Sequence, residues 1–287
     1  MKTILVATDF SARSDRAIRR AVLLAHTFEA VLHMVHVVDD DQPARIVSAE
    51  EGAARALLSE QTRSLREIDG LQSDFSLVFG DPFEGIRASA QELQAGLVVI
   101  GPHRRQALKD MFVGTTAERT IRLSSRPILM ANAVPAAPYR HALVATDLSD
   151  ASASAIQTIT DLGILNGQAV SLLHVFDAPE SWLRTRGALS ADQVKAYLTE
   201  EKARAASELS RFASAAGLRA PQHLLEPTTA STGYIINEAA QKSRADLIVV
   251  GTHSRSRLSK AFLGSVAEEV LRTATHDVLV VPPKMRA

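Results

Sequence analysis

Residues 251–266, GTHSRSRLSKAFLGSV, set two glycines thirteen positions apart around a basic, hydroxyl-rich stretch. That combination suits one kind of chemistry. Backbone amides in a row, reinforced by the positive end of a helix dipole, can hold a phosphate. Glycine serves where the chain must approach the ligand closely or take positive φ. Gly251 and Gly264-Ser265 are the residues for this role, with His253, Ser254 and Val266 beside them. Ser265 can cap the helix that follows and also donate its hydroxyl to a phosphate. Arg255, Arg257 and Lys260 make the stretch attractive to an anion. A strand-ending turn followed by a helix cap, with no ligand, would use the same glycines. The stretch is duplicated, and that favours a ligand.

The duplication extends along the chain. ILVATDFSARSDRAI, residues 4–18, returns as ALVATDLSDASASAI, residues 142–156, at an offset of 138, so Asp9 matches Asp147. IGPHRRQALKDMFVGTTAERTIR, residues 100–122, matches VGTHSRSRLSKAFLGSVAEEVLR, residues 250–272, at an offset of 150. The second copy therefore carries twelve more residues between the two motifs. Gly101, Arg104, Gly114 and Thr115 are the first-half counterparts of Gly251, Ser254, Gly264 and Ser265. AVPAAPYR, residues 133–140, has neither helical nor strand periodicity and reads as the joint. Two domains follow, residues 1–135 and 141–287.

Elements that would position these residues are legible in each half. TILVATD is an apolar run ending in a polar turn, followed by Ala17, Ile18, Ala21, Val22 and Ala25 at helical spacing. AVLHMVHVV, residues 30–38, is a second strand. The box SAEE at Ser48–Glu51 predicts a helix start, as does SADQ at Ser190–Gln193, with Gly70 and Gly217 closing the two helices. Apolar strands alternating with helices predict two doubly wound, Rossmann-like domains, each with five parallel strands. Ligands of such sheets bind outside the carboxyl ends of the strands, where strand order reverses. Asp9 and Asp147 end the first strands, His36-Val37 and His174-Val175 lie near the ends of the second, and Gly101 and Gly251 end the fourth. The last strands, PILMAN and VLVVPP, would be sheet edges that must be paired or covered.

Bulk composition narrows the function classes. Thirty-two basic against thirty-two acidic residues in a chain of 287 give no general attraction to nucleic acid or an anionic membrane. There is no cysteine, which excludes disulfides, thiolate metal sites and thiol redox chemistry. MKTILVATDF is too short an apolar run for a secretory signal, and no stretch reaches membrane-spanning length, so a cytoplasmic protein is expected.

With these motifs the chain resembles a tandem universal stress protein, over both halves from residue 2 to about residue 283. That family shares the adenine nucleotide alpha hydrolase-like fold, and the resemblance implies that the edge strands pair the two halves as a pseudo-twofold pair. Its ATP fingerprint is glycine, two residues, glycine, nine residues, then glycine with serine or threonine. Gly251 and Gly264-Ser265 keep the spacing, with Ser254 in the middle place. Gly101 and Gly114-Thr115 keep it too, with Arg104 in the middle and Pro102 lacking an amide donor. The resemblance implies that Asp147, and Asp9 in the first half, hold the adenosine moiety, and that Val175 and Val37 contact adenine. It also places a glycine, any residue, proline turn near the nucleotide. GDP at Gly80–Pro82 fits, whereas the second half has AST at 230–232. The expected ligand is ATP or a related adenine nucleotide, mainly in the second domain, with Mg²⁺ entering alongside it.

No catalytic machinery is legible. G-x-x-x-x-G-K-[ST], G-x-G-x-x-G and G-x-S-x-G are all absent, and no histidine pair has zinc-helix spacing. His36 and His174 read as core histidines, and His103 and His253 as loop residues that either contact phosphate or satisfy local bonds. The expected function is nucleotide-dependent regulation in a stress response, through a regulatory protein partner that the sequence does not name and with a homodimer as a further expectation. A ligand-free interaction or chaperone-like protein is the alternative, and slow ATP hydrolysis a further one.

Overall fold

The computed structural model describes residues 1–102, 115–177, 190–219, 221–252 and 263–283. Strands and helices alternate through the first half: β1 (Thr3–Ala7), α1 (Ala12–Phe28), β2 (Val31–Val38), α2 (Ala44–Glu67), β3 (Ser73–Phe79), α3 (Pro82–Glu92), β4 (Leu97–Ile100), α4 (Thr116–Leu123) and β5 (Ile128–Met130). The second half repeats the order: β6 (His141–Thr146), α5 (Asp150–Asp161), β7 (Ala169–Phe176), α6 (Ala191–Ala215), β8 (Gln222–Pro227), α7 (Thr232–Ser243), β9 (Leu247–Gly251), α8 (Ser265–Thr273) and β10 (Asp277–Val281). No helix among the described residues is long and apolar enough to cross a membrane.

The chain forms two compact units. The first gathers Met1–Pro138 with Ala274–Pro282, and the second gathers Tyr139–Leu258 with Gly264–Thr273. In the first unit the strand order is β3-β2-β1-β4-β5, all parallel, and β10 runs antiparallel against β5. Val278 stands opposite Met130 and Val280 opposite Ile128. The β5 edge, which would otherwise offer unpaired backbone groups, is thereby covered. In the second unit the parallel order is β8-β7-β6-β9.

The apolar runs are continuous because both faces of each sheet are covered. Ile4, Leu5 and Val6 of β1, and Leu247 and Ile248 of β9, are fully buried. In α1, Ala17, Ala21, Leu24 and Ala25 form the buried stripe, and Ser11 caps the helix by accepting from the Ser14 amide. The SADQ signal is a true capping box, with Ser190 and Gln193 bonded reciprocally. The SAEE signal is not a helix start. α2 begins at Ala44 behind Pro43, whose carbonyl accepts from Ile46 at 2.7 Å. Proline pre-sets the entry dihedral and Ala44-Arg45 favour helix, so Ser48 lies one turn inside.

One buried ion pair ties the first unit together. Arg20 Nε of α1 lies 2.7 Å from Asp277 Oδ2 of β10, with the two side chains only 5% and 0% exposed. Arg20 also donates to the Ala137 carbonyl at 2.8 Å, and Asp277 Oδ1 accepts from the Ala133 amide at 2.8 Å. Asn132 Nδ2 donates to the His276 carbonyl at 2.9 Å. Helix α1, the segment after β5 and the start of β10 therefore share one polar network. Breaking a buried pair from one side strands a charge, so Asp277→Ala should lower stability by about 3–5 kcal/mol. Urea unfolding of the full chain measures this, and a loss below about 1 kcal/mol would deny the pair its role.

Candidate functional site

Strand order reverses between β6 and β9 in the second unit and between β1 and β4 in the first. A cavity opens at the carboxyl ends of the strands in each. The second-unit cavity has a volume of about 540 Å³, within the range of small-molecule sites. Asp147 enters it from the end of β6, Val175 from β7 and Gly251-Thr252 from β9, while Gly264, Ser265 and Val266 form the wall at the start of α8. Six of the expected second-half residues are thus brought together: Asp147, Val175, Gly251, Gly264, Ser265 and Val266. His253 and Ser254 lie outside the described residues.

Asp147 is held by its own turn. Its Oδ1 accepts from the Ser149 amide at 3.1 Å, the Ser149 hydroxyl at 2.6 Å and the Ser152 hydroxyl at 2.6 Å. Leu148 in that turn adopts φ +63°, a left-handed conformation uncommon for a branched side chain. Ser149 caps α5 by accepting from the Ser152 amide. The aspartate therefore organises the entry to α5 and faces the cavity at the same time.

Gly264 works differently from the expectation of an amide donor with freed φ. Its N–H donates to the Thr252 carbonyl at 2.8 Å, and its carbonyl accepts from Glu268 at 2.9 Å, opening α8. It is absent from the positive-φ residues, and a Cβ there would come within 3.3 Å of the Thr252 oxygen. Its contribution is a close approach of two backbone segments. The residues that follow, Ser265, Val266 and Ala267, line the cavity at the first turn of α8, where amides have no acceptor within the helix. Ser265 is already helical, so its hydroxyl sits inside the first turn rather than ahead of it.

The first-unit cavity is smaller, about 380 Å³. Asp9, Val37, Gly101 and Thr115 line it, joined by Arg13 and His36. Arg104 and Gly114 lie outside the described residues, as does His103. Gly80, at φ +113°, turns the chain toward α3, and the cavity wall at that loop is Pro82. A Cβ on Gly101 would stand 2.8 Å from the Arg13 carbonyl oxygen, so this glycine lets β4 approach the start of α1. Thr115 caps α4 through the Glu118 amide, and Asp81 caps α3 while pairing with Arg119 at 2.8 Å.

The two aspartates differ in surroundings. Asp9 is more exposed and carries an ion partner, Arg13, at 3.4 Å. Burial alone would raise its carboxyl, but the Ser11 hydroxyl and amide, Ser14 and Arg13 outweigh that and hold it below the ordinary 3.8. Position 151, the second-half counterpart of Arg13, is alanine.

Several cavity residues carried no signal beforehand. Ser152 became visible only through its bond to Asp147. Glu201, Arg204 and Glu208 line the second cavity from α6, with Arg204 paired to Glu201. Their spacing of three and four residues along one helix face was the available signal, but it looks like any solvated stripe. Among the described residues no group of three His, Asp or Glu side chains gathers as a metal site.

The description "Universal stress protein family" matches residues 1–132 and again residues 138–282. The chain belongs to the universal stress protein family. It carries two copies of the domain in tandem, each with the doubly wound, largely parallel sheet described above. A universal stress protein of Mycolicibacterium smegmatis is 25% identical across 98% of this chain and 97% of its own length. Universal stress protein MJ0531 of Methanocaldococcus jannaschii is 33% identical over 50% of this chain and 82% of its own. The crystal structure of a putative universal stress protein from Pseudomonas aeruginosa superposes with a TM-score of 0.69, covering 99% of this chain and 94% of that one at 23% identity. That likeness speaks to the fold.

Two measurements test the first-unit geometry. Gly101→Ala should destabilise the protein by about 1–3 kcal/mol, because the new Cβ meets backbone that cannot step aside cheaply. An unchanged unfolding midpoint would refute the close packing. For Asp9 the folded carboxyl lies below 3.8, so the unfolded chain takes up the proton first. Its stabilising contribution is full above that value and lost as pH falls through the folded one. Asp9→Asn should therefore flatten the acid limb of the stability profile below pH 3.8.

Proposed function

We propose that this protein is a stress-response regulator that binds ATP or a related adenine nucleotide in its second unit. The observation that carries the reading is the second cavity, where the Asp147 carboxylate and the first turn of α8 face one space of about 540 Å³. An adenosine diol bonds naturally to a carboxylate, and a phosphate chain to a helix N-terminus. Val175 would contact the base, Gly251, Ser265 and Val266 the phosphates, with His253 and Ser254 completing the loop. Mg²⁺ would arrive with the nucleotide, its ligands being mostly phosphate and water. Occupancy would act on the segment between β9 and α8 and so alter a surface read by a protein partner. A homodimer and a cytoplasmic setting belong to the same reading.

A second reading has support in the first unit. Gly101 is accounted for by packing against Arg13, Pro102 has no amide to give, and Asp9 is engaged by Ser11 and Arg13. The first unit then serves as a ligand-free interaction half, its loop a structural remnant.

Denaturing the purified chain and chromatographing what it releases should yield a near-stoichiometric adenine nucleotide, absent from a folded Gly264→Val variant. Direct titration should show Asp147→Ala weakening ATP by about 1.5–3 kcal/mol, the value of a hydrogen bond to an ionised group. No released nucleotide together with no ATP binding on titration would extend the ligand-free reading to both units. Phosphate release no faster than that of the Gly264→Val variant would dispose of ATP hydrolysis.

A further inference from the structure

The turn that presents Asp147 is held mostly from within. Leu148 donates its amide to Thr146 Oγ1 at 3.0 Å, and Ser149 and Ser152 bond the carboxylate. These bonds join residues within 146–152, and they would survive rotation of the turn as a body. One further bond crosses to the neighbouring strand. His174 Nδ1 of β7 lies 3.0 Å from the Thr146 carbonyl oxygen, at the pair Thr146–His174 where the β6–β7 register ends.

We propose that His174 is a positioning residue for Asp147, locking the peptide plane between Thr146 and Asp147 so that the carboxylate faces the cavity. The function assigned to that carboxylate rests on the nucleotide reading above. A carbonyl oxygen only accepts, so Nδ1 carries the proton, and the neutral ring is the Nδ1–H tautomer. The last residue of β6 is where a peptide plane is least constrained, because the ladder stops there and the chain must reach φ +63° two residues later. A donor from the side chain of β7 supplies the constraint that the ladder no longer gives.

The first half carries the same device, kept through the duplication. His36 Nδ1 lies 2.8 Å from the Thr8 carbonyl, Phe10 donates to Thr8 Oγ1 at 3.1 Å, and Phe10 adopts φ +56°. The Ser11 amide reaches Asp9 Oδ1 at 3.0 Å. Beyond the tether the surroundings of the two turns differ: an Arg13 partner and a Phe10–His36 ring contact with centroids 4.5 Å apart occur in the first. The two turns share the histidine, the threonine, the left-handed residue, the aspartate and the serine that bonds it.

The test uses the full-length protein in three forms: unaltered, His174→Leu and His174→Asn. Asparagine can place its amide N–H where Nδ1–H stood. Amide hydrogen exchange without ligand should quicken at Leu148 and Ser149 in His174→Leu and return toward the unaltered rate in His174→Asn. Titration with Mg-ATP should show about three- to tenfold weaker binding in His174→Leu, the worth of one neutral hydrogen bond, and recovery in His174→Asn. Unchanged exchange in His174→Leu overturns the tether. Faster exchange with undiminished ATP affinity overturns the positioning role. Should the unaltered protein bind no ATP, the nucleotide reading falls by itself and the tether is judged by the exchange rates. Imidazole ¹⁵N spectra of the unaltered protein need no variant to fold: they should show His174 as the Nδ1–H tautomer, and an Nε2–H tautomer refutes the bond.

Discussion

The site depends on the point where each parallel sheet reverses its strand order. Chain leaving β1 turns one way to β2 and chain arriving at β4 comes from the other side; β6, β7 and β9 behave alike. Right-handed crossovers then leave a crevice at the carboxyl ends, because the connections diverge above it. Everything that faces the cavity here is a consequence. Asp147 is at the end of β6, Val175 near the end of β7, Gly251 at the end of β9, and α8 begins with its amides toward the same space.

The two units occupy the same frame with different side chains. In the second, Asp147 is engaged by two serine hydroxyls, and the α6 wall adds the Glu201–Arg204 pair. In the first, Asp9 pairs with Arg13, and the helices that begin near the cavity are capped by Ser11, Asp81 and Thr115. Duplication preserved the turn conformations at Phe10 and Leu148 while the surrounding charges diverged. Backbone geometry at a strand end is set by many contacts at once, whereas a surface charge can be exchanged at little cost to the fold.

Much of this was legible in the residues. The repeat, the alternation of strands and helices, the convergence of Asp147, Val175 and Gly251, and the capping box at Ser190 all follow from local patterns, and the structure bears them out. Three things were not. The box at Ser48 matched a signature but lost to Pro43, since a capping pattern marks a start only if nothing upstream has already nucleated the helix. Gly101 lines the first cavity, but its second duty, making room for the Arg13 carbonyl 88 residues away in sequence, was not written locally. The pair between Arg20 and Asp277 joins residues from opposite ends of the chain, and no periodicity announces it.

By itself the sequence determined the fold class, the two copies of the domain and the residues at the strand ends, because hydrophobic period and turn chemistry act over a few residues and are written locally. Tertiary structure alone decided which glycines serve packing, which hydroxyls close on Asp147, and that His174 grips the Thr146 carbonyl. Those outcomes turn on distances of a few ångströms between segments far apart in the chain, and such distances exist only once the sheets have formed.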